Sequence, residues 1–364
     1  MTLSSARVPE RTPARQTSGL SVGSVVCAVA VAYPVALLLG VFAFRFIGER
    51  WWVTGVGLYV PRLVFGLPLP ILVLALLAVR RATLLWTQAV AALVLVVPLM
   101  GFSAPWPRFA ATHSPTMRVL SYNVESGHGV GNYDDVLAEV ARYAPEIVFM
   151  QEVGPVEKLA PLLKERYSDV YTANQFVVAS RYHIVSASLP NPVVVRGQTH
   201  SPRFLRLEID SPLGLIVFYD VHPISPREAL WRVVWGGRRG LLTGKTFNTI
   251  NSGAFYENSA LREEQAATFG NAAERETEPV IIAGDTNLPD LSWIFGRYLS
   301  RFQDGFLKAG WGFGYTFPTD RHGPWMRIDR ILASRALRFV HFEVGTSNAS
   351  DHRCVVADIQ RAAL

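Results

Sequence analysis

Residues 280–287 read VIIAGDTN, an apolar run rich in branched side chains that stops at Gly284 and presents Asp285 and Asn287 at its end. Short branched runs bounded by turn residues read as buried strands. The same arrangement recurs along the chain. Asn123 and Glu125 lie in SYNVES (121–126), Glu152 in VFMQEV (148–153), His222 in YDVHP (219–223), Asp329 in RIDRIL (327–332), and Asp351 and His352 in SDH (350–352). A sheet scaffold displays its functional groups at strand ends. Taken singly, an Asp, Asn or His in such a place is more often a turn former or cap than a catalyst, so the weight rests on the whole set.

Working outward, apolar runs at 118–122, 146–150, 215–219, 280–283 and 327–333 alternate with helical patterns at 133–143 and 259–273. This mixture predicts one α/β domain over residues 117–364, large enough to bury a substantial core and free of internal repeats.

The N-terminal part is different. Residues 20–44 and 82–106 contain no charge, and each run exceeds the roughly 20 residues that cross a bilayer core. Residues 63–79 are also uncharged but shorter, hold Pro68 and Pro70, and follow Arg62, which would have to snorkel to the interface. The reading is a tail over 1–19, a three-helix transmembrane anchor over 20–106 and a Pro-, Ala- and Ser-rich linker over 107–116. Arg7, Arg11 and Arg15 also suit a secretory signal, but the first run is too long for a signal core and more apolar segments follow. Those three arginines with Arg80 and Arg81 outnumber Arg45, Arg50 and Arg62 on the other side. The positive-inside rule therefore puts the N-terminus in the cytoplasm and the domain after the third span outside the plasma membrane. Loss of the second span would invert that sidedness.

A net charge of +6 suggests an anionic partner, but its location matters. Nine Arg and two Glu fall before residue 117, leaving the remaining 248 residues at −1. The basicity flanks the membrane segments, and the domain lacks the positive field of many nucleic-acid binders. Within it, residues 223–262 carry a local +4, with Trp231, Trp235, Phe247, Phe255 and Tyr256 among Arg227, Arg232, Arg238, Arg239, Lys245 and Arg262. Such a segment suits lipid head groups or an anionic, partly apolar substrate; a surface loop with packed tryptophans explains it as well. Cys27 and Cys354 imply no disulfide framework.

In order and spacing, the QE, GDxN and SDH signatures with the intervening His222 and Asp329 resemble the endonuclease/exonuclease/phosphatase superfamily, over residues 117–359. The resemblance implies a four-layer sandwich, two mixed β-sheets face to face with helices outside, and a site at one end of it. It also implies roles. Glu152 is expected as the principal Mg²⁺ (or Mn²⁺) ligand, with Asn123, Glu125 and Asp351 completing the shell, although many members have Asp where Glu125 stands. Asp285 would orient or deprotonate the attacking water, Asn287 would donate to a phosphate oxygen, and His222 and His352 would flank the phosphate. Asp329 would hold the His352 imidazole in one tautomer and favour its protonated form. Thr286 stands where members often have an aromatic residue. Arg181 in ASRY and Tyr315 or Phe317 in YTFPTD sit in segments resembling substrate-side loops.

Phosphoester cleavage needs carboxylates for a hard cation, a base for water and polar donors for the developing charge, and this set supplies them. The predicted substrate is a phosphate ester or pyrophosphate, lipid-linked because the anchor holds the site beside a bilayer. The three-span anchor before a complete domain is similar to the VanJ-like membrane-anchored bacterial members. The alternatives are an extracytoplasmic nuclease, disfavoured by the domain's charge, and a non-catalytic receptor, disfavoured by the complete residue set.

Overall fold

The computed structural model describes residues 21–105, 114–125, 133–233, 249–319 and 323–362, with backbone alone over residues 249–252. The expected tail over 1–19, most of the expected linker, and Trp235, Arg238, Arg239, Lys245 and Phe247 lie outside the described residues.

Two six-stranded mixed sheets form the domain after residue 116. In spatial order the first is Leu337–Val344, Val355–Arg361, Met117–Asn123, Ile147–Gln151, Phe176–Ser180 and Asp169–Ala173. The second is Gln303–Asp304, Asp329–Ala333, Val280–Asp285, Gly214–Val221, Phe204–Ser211 and His183–Ser188. Each contains one parallel pair at its centre, Met117–Asn123 with Ile147–Gln151 and Val280–Asp285 with Gly214–Val221. Both strands of each pair are covered on two faces, which is why they read as unbroken apolar runs rather than alternating ones.

The inner faces meet through Val119, Phe149, Phe218, Ile281 and Ile331, all buried, with the Phe149 and Phe218 rings stacked at 5.3 Å. Outside the first sheet lie helices Asp134–Tyr143 and Val156–Lys164, and outside the second the 27-residue helix Thr249–Arg275 and the short Trp293–Tyr298. The long helix takes in residues 249–262 of the aromatic and basic segment, beginning ten residues before the helical pattern expected over 259–273. Polar links also cross between the sheets: Gln151 Nε2, which donates to its sheet neighbour Ser121 Oγ at 3.2 Å, donates across to Asp220 Oδ1 at 2.6 Å.

The N-terminal part is helical. Val22–Phe46 and Ala82–Leu99 are long and apolar enough to cross a membrane; Arg62–Ala78 is apolar but shorter, so the bundle of three full spans is not reproduced. Arg62 does not snorkel. Its guanidinium is buried, donates to the Gly57 and Leu58 carbonyls at 2.9 and 2.8 Å, and sits 5.0 Å over the Phe44 ring.

These helices are joined to the domain by specific contacts. Glu49 accepts from Ser292 Oγ (2.5 Å) and the Trp293 amide (3.0 Å). Gly55 lies against the buried Phe255 ring so closely that a Cβ would stand 2.1 Å from Cζ. Ser103, inside the bounds expected for the anchor, exchanges backbone hydrogen bonds with Gly312 (2.7 and 2.9 Å), and Tyr315 donates to the Met100 carbonyl (2.9 Å).

Below the strand Asp329–Ala333, Arg327 and Arg330 are cross-braced by two carboxylates. Asp304 takes Arg327 Nη1 at 2.8 Å and Arg330 Nη1 at 2.7 Å, and Asp290 takes their Nη2 atoms at 2.5 and 2.9 Å. Burial alone would raise the Asp290 carboxyl, but the two guanidiniums hold it below its ordinary range. The stability this supplies is complete above the unfolded carboxylate value of about 4 and is lost as pH falls through the lower folded value. Asp304→Ala leaves two buried guanidiniums short of a partner and is expected to cost about 3–5 kcal/mol, measured by denaturant unfolding in detergent; a loss below about 1 kcal/mol would show that Asp290 alone suffices.

Candidate active site

Asp285 ends its strand directly opposite Asp329 on the antiparallel neighbour, so the pairing register sets both carboxyls at one end of the sandwich. Gly284 makes the approach possible. Its φ is +143° and a Cβ there would stand 2.0 Å from the Val221 carbonyl oxygen, a conformation and a contact that only glycine accepts. Thr286 is buried and ties the turn to the next strand, its amide and hydroxyl both donating to the Ile328 carbonyl at 2.9 and 2.7 Å.

Asp285 is the buried centre. Its Oδ1 accepts from the Asn287 amide (2.8 Å), and its Oδ2 accepts from Asn123 Nδ2 (3.1 Å) while lying 3.7 Å from His222 Nε2 and 3.8 Å from His352 Nε2. Burial pushes its carboxyl up to about 6, with Asp329 adding to the rise and the two imidazoles opposing it. His352 Nδ1 lies 2.9 and 3.1 Å from the Asp329 oxygens. Burial alone would lower this imidazole, but the Asp329 and Asp285 carboxylates overcome it and raise it to about 10. The Phe317 ring covers it at 4.5 Å.

His222 projects from the end of strand Gly214–Val221, held by Gln175 Oε1 at Nδ1 (2.8 Å), with Nε2 at 3.1 Å from Glu152 Oε1. Burial would raise the Glu152 carboxyl, yet His222, His352 and Arg227 bring it down to about 2. Asp351 pairs with Arg227 Nη2 at 2.9 Å.

Glu152, His222, Asp285, Asn287, Asp351 and His352 thus line one cleft of about 390 Å³, together with Arg203, Arg227 and Phe317. Asp329 stands behind it, against His352. Asn123 is buried in the floor, its amide engaged by Asp285 and by the Glu125 backbone N–H (3.1 Å). Glu125 lies beyond that turn at φ +38° and is not part of the cleft lining among the described residues. Arg181 stays outside the cleft, over the Tyr167 ring at 6.0 Å, and Tyr315 serves the helical part instead. Arg203 and Gln175 escape the sequence reading, because neither lies in a motif and both enter by tertiary packing.

The donor set fits a hard divalent cation. Glu152 and Asp351 face the same cleft, and among the described residues Asp351 Oδ1 is buried with no hydrogen-bond partner, 3.6 Å from His352 Nε2, a carboxylate oxygen of the kind that such a cation recruits. A second candidate grouping, Asp285, Asp329 and His352, brings one ligand atom from each within 4.8 Å of one another. The Asp329–His352 hydrogen bond already occupies two of these residues.

A double-sheet sandwich with a carboxylate, imidazole and guanidinium cleft at its strand ends is the architecture of a phosphoester hydrolase. The chain belongs to the Endonuclease/Exonuclease/phosphatase family, whose model matches residues 120–352. Members are hydrolases of phosphate esters, phosphatases and nucleases among them. In fold it is similar to an endonuclease/exonuclease/phosphatase from Beutenbergia cavernae (20% identity, TM-score 0.48, covering 68% of this chain and 72% of that one). It is likewise similar to Caenorhabditis elegans TDP2 (18%, 0.47, 67% and 97%) and a Staphylococcus aureus beta toxin (14%, 0.46, 66% and 99%). No curated protein matches the sequence.

Because the folded His352 value lies above the ordinary 6.5, the stabilisation from its pairing is complete below about 6.5 and disappears as pH rises toward about 10. ¹⁵N NMR of the metal-free protein at pH 7.5 is expected to find both ring nitrogens of His352 protonated, and Asp329→Asn to return the ring toward neutrality. A neutral ring in the unaltered protein would contradict the pairing.

Proposed function

We propose that the chain is a membrane-anchored, divalent-metal-dependent phosphoesterase acting on the phosphate ester or pyrophosphate of a lipid-linked substrate. The observation that carries the reading is the docking of the helical part beside the cleft: Tyr59, in the loop between the first two apolar helices, donates through its hydroxyl to the carbonyl of Asn287 (3.0 Å).

Large apolar side chains stand exposed along these helices, among them Val29, Leu39 and Phe42 on the first, Ile71 and Leu74 on the second, and Trp86 and Leu93 on the third. Water would oppose that exposure and a bilayer removes it. Three crossings, the second achieved by the shorter Arg62–Ala78, put the N-terminus in the cytoplasm and the cleft outside the plasma membrane, the topology of the VanJ-like type. The cleft adjoins a second cavity of about 420 Å³ that shares Ile224, Glu228 and Asn258 with it and is lined by Arg196 and Arg232, leaving room for a head group beyond the phosphate.

In this mechanism Arg203, Arg227 and the protonated His352 receive the phosphoryl oxygens. Asp285, with its raised carboxyl, takes the proton of the attacking water. Asn287 donates its second amide hydrogen, the first being engaged by the Pro223 carbonyl (3.0 Å). Glu152 and Asp351 are the residues that would hold Mg²⁺ or Mn²⁺, with Asn123 reorienting to join them. The cation would supply charge neutralisation at the phosphoryl group and support for the leaving oxygen.

The test is phosphate release by the full-length protein in detergent with Mg²⁺, comparing a polyisoprenyl pyrophosphate with single-stranded DNA. Hydrolysis of the lipid with DNA spared supports the proposal; the reverse makes the chain a surface nuclease. Asp285→Ala and His352→Ala should each lower turnover by about 10²-fold or more without loss of fold, and chelation should abolish it until Mg²⁺ or Mn²⁺ is restored. Near-unaltered turnover in both variants would refute the assigned roles.

A further inference from the structure

We infer that Tyr59, a residue of the helical anchor rather than of the catalytic domain, is a positioning residue that holds Asn287 in its working conformation. The inference rests on the phosphoesterase reading above, in which Asn287 meets the phosphate.

Asn287 has a backbone φ of +51°, the left-handed region that a side chain tolerates only at a cost of about 1 kcal/mol or more unless its surroundings hold it. Three of its polar groups are held. Its amide is fixed by Asp285 Oδ1 (2.8 Å), and its side chain donates to the Pro223 carbonyl (3.0 Å). Those two contacts come from the catalytic domain. The third, at its carbonyl, is made by the Tyr59 hydroxyl (3.0 Å), with Arg262 Nη1 more distant at 3.4 Å.

The hydroxyl is itself fixed by a hydrogen bond from Arg262 Nη1. Arg262 is fully buried, and among the described residues no carboxylate lies within ion-pair distance of it. Its other donors go to Asn258 Oδ1 (3.0 Å) and Ser259 Oγ (3.4 Å), while Asn258, which lines the cleft, donates to the Ser225 carbonyl (2.9 Å). A charged guanidinium on the tyrosine oxygen strengthens the hydroxyl as a donor to Asn287. On its other side the Tyr59 backbone carbonyl accepts from Trp325 Nε1 (3.3 Å). Anchor loop, long helix and cleft wall therefore converge on one phenol oxygen. Deleting that oxygen leaves the Asn287 carbonyl with the long Arg262 contact alone and lets the turn relax toward ordinary backbone angles, carrying the side-chain amide away from the phosphate.

The experiment uses full-length protein in nanodiscs with Mn²⁺ and the chromogenic diester bis(p-nitrophenyl) phosphate, comparing the unaltered chain, Tyr59→Phe and Glu49→Gln. Glu49 fastens the same loop to Ser292 and Trp293, outside the cleft. Tyr59→Phe is expected to lower kcat about tenfold or more with KM within about threefold, and to speed amide hydrogen exchange across residues 286–288. Glu49→Gln should leave kcat within about twofold. Equal losses in both variants would reduce Tyr59 to a docking contact and overturn the inference, as would unaltered exchange at residues 286–288 in Tyr59→Phe. If the unaltered protein turns over no phosphoester while Tyr59→Phe still speeds that exchange, the clamp stands and the phosphoesterase reading falls.

Discussion

The site depends on a carboxylate kept out of water between two imidazoles. Asp285 is buried at the meeting of two strand ends, and among the described residues hydrogen bonds from Asn123 and Asn287 and the nearby rings of His222 and His352 compensate it. Desolvation of this kind is expensive unless partners are in place, so each neighbour has its own restraint. Asp329 fixes one ring, Gln175 the other, and Glu152 offsets the positive side of the cleft. The opposed pull of burial and charge leaves one acid near neutrality and one imidazole firmly cationic, a division of labour that environment alone imposes on ordinary side chains.

Much of this is visible in the sequence because the groups are local to strand ends. VIIAGDTN announces its strand, its glycine and its two polar residues within eight positions, and the structure adds the reason for the glycine, a neighbouring carbonyl that leaves no space for a methyl. Six of the nine singled-out residues line the cleft and Asp329 backs it. Asn123 and Glu125 both follow a strand end in sequence yet are not among the cleft-lining residues, Asn123 because its amide lies beneath the cleft against Asp285. Arg203 and Gln175 are silent because nothing around them is periodic or motif-like; only the closing of the two sheets brings them in.

The helical part shows the limits of reading hydrophobicity. Charge-free length finds Val22–Phe46 and Ala82–Leu99, but Arg62 beside an apolar stretch suggests a snorkelling chain when it in fact caps the carbonyls of the preceding helical turn. The charge-free run 82–106 reads as one span to its end, but the helix stops at Leu99 and Ser103 beyond it pairs with Gly312. Local composition cannot distinguish a free connection from one whose partner lies two hundred residues away.

Gly55 illustrates what that joining entails. The Phe255 ring occupies the space that a single methyl would need, so the loop between two apolar helices and the long helix behind the cleft are shaped to one another like the faces of a protein interior. Such a surface constrains how the gene can change. The hydrophobic segments are not an exchangeable address label, and a chimera that swaps them for another protein's apolar helices must carry residues 47–61 along or receive a domain with an open seam beside its cleft.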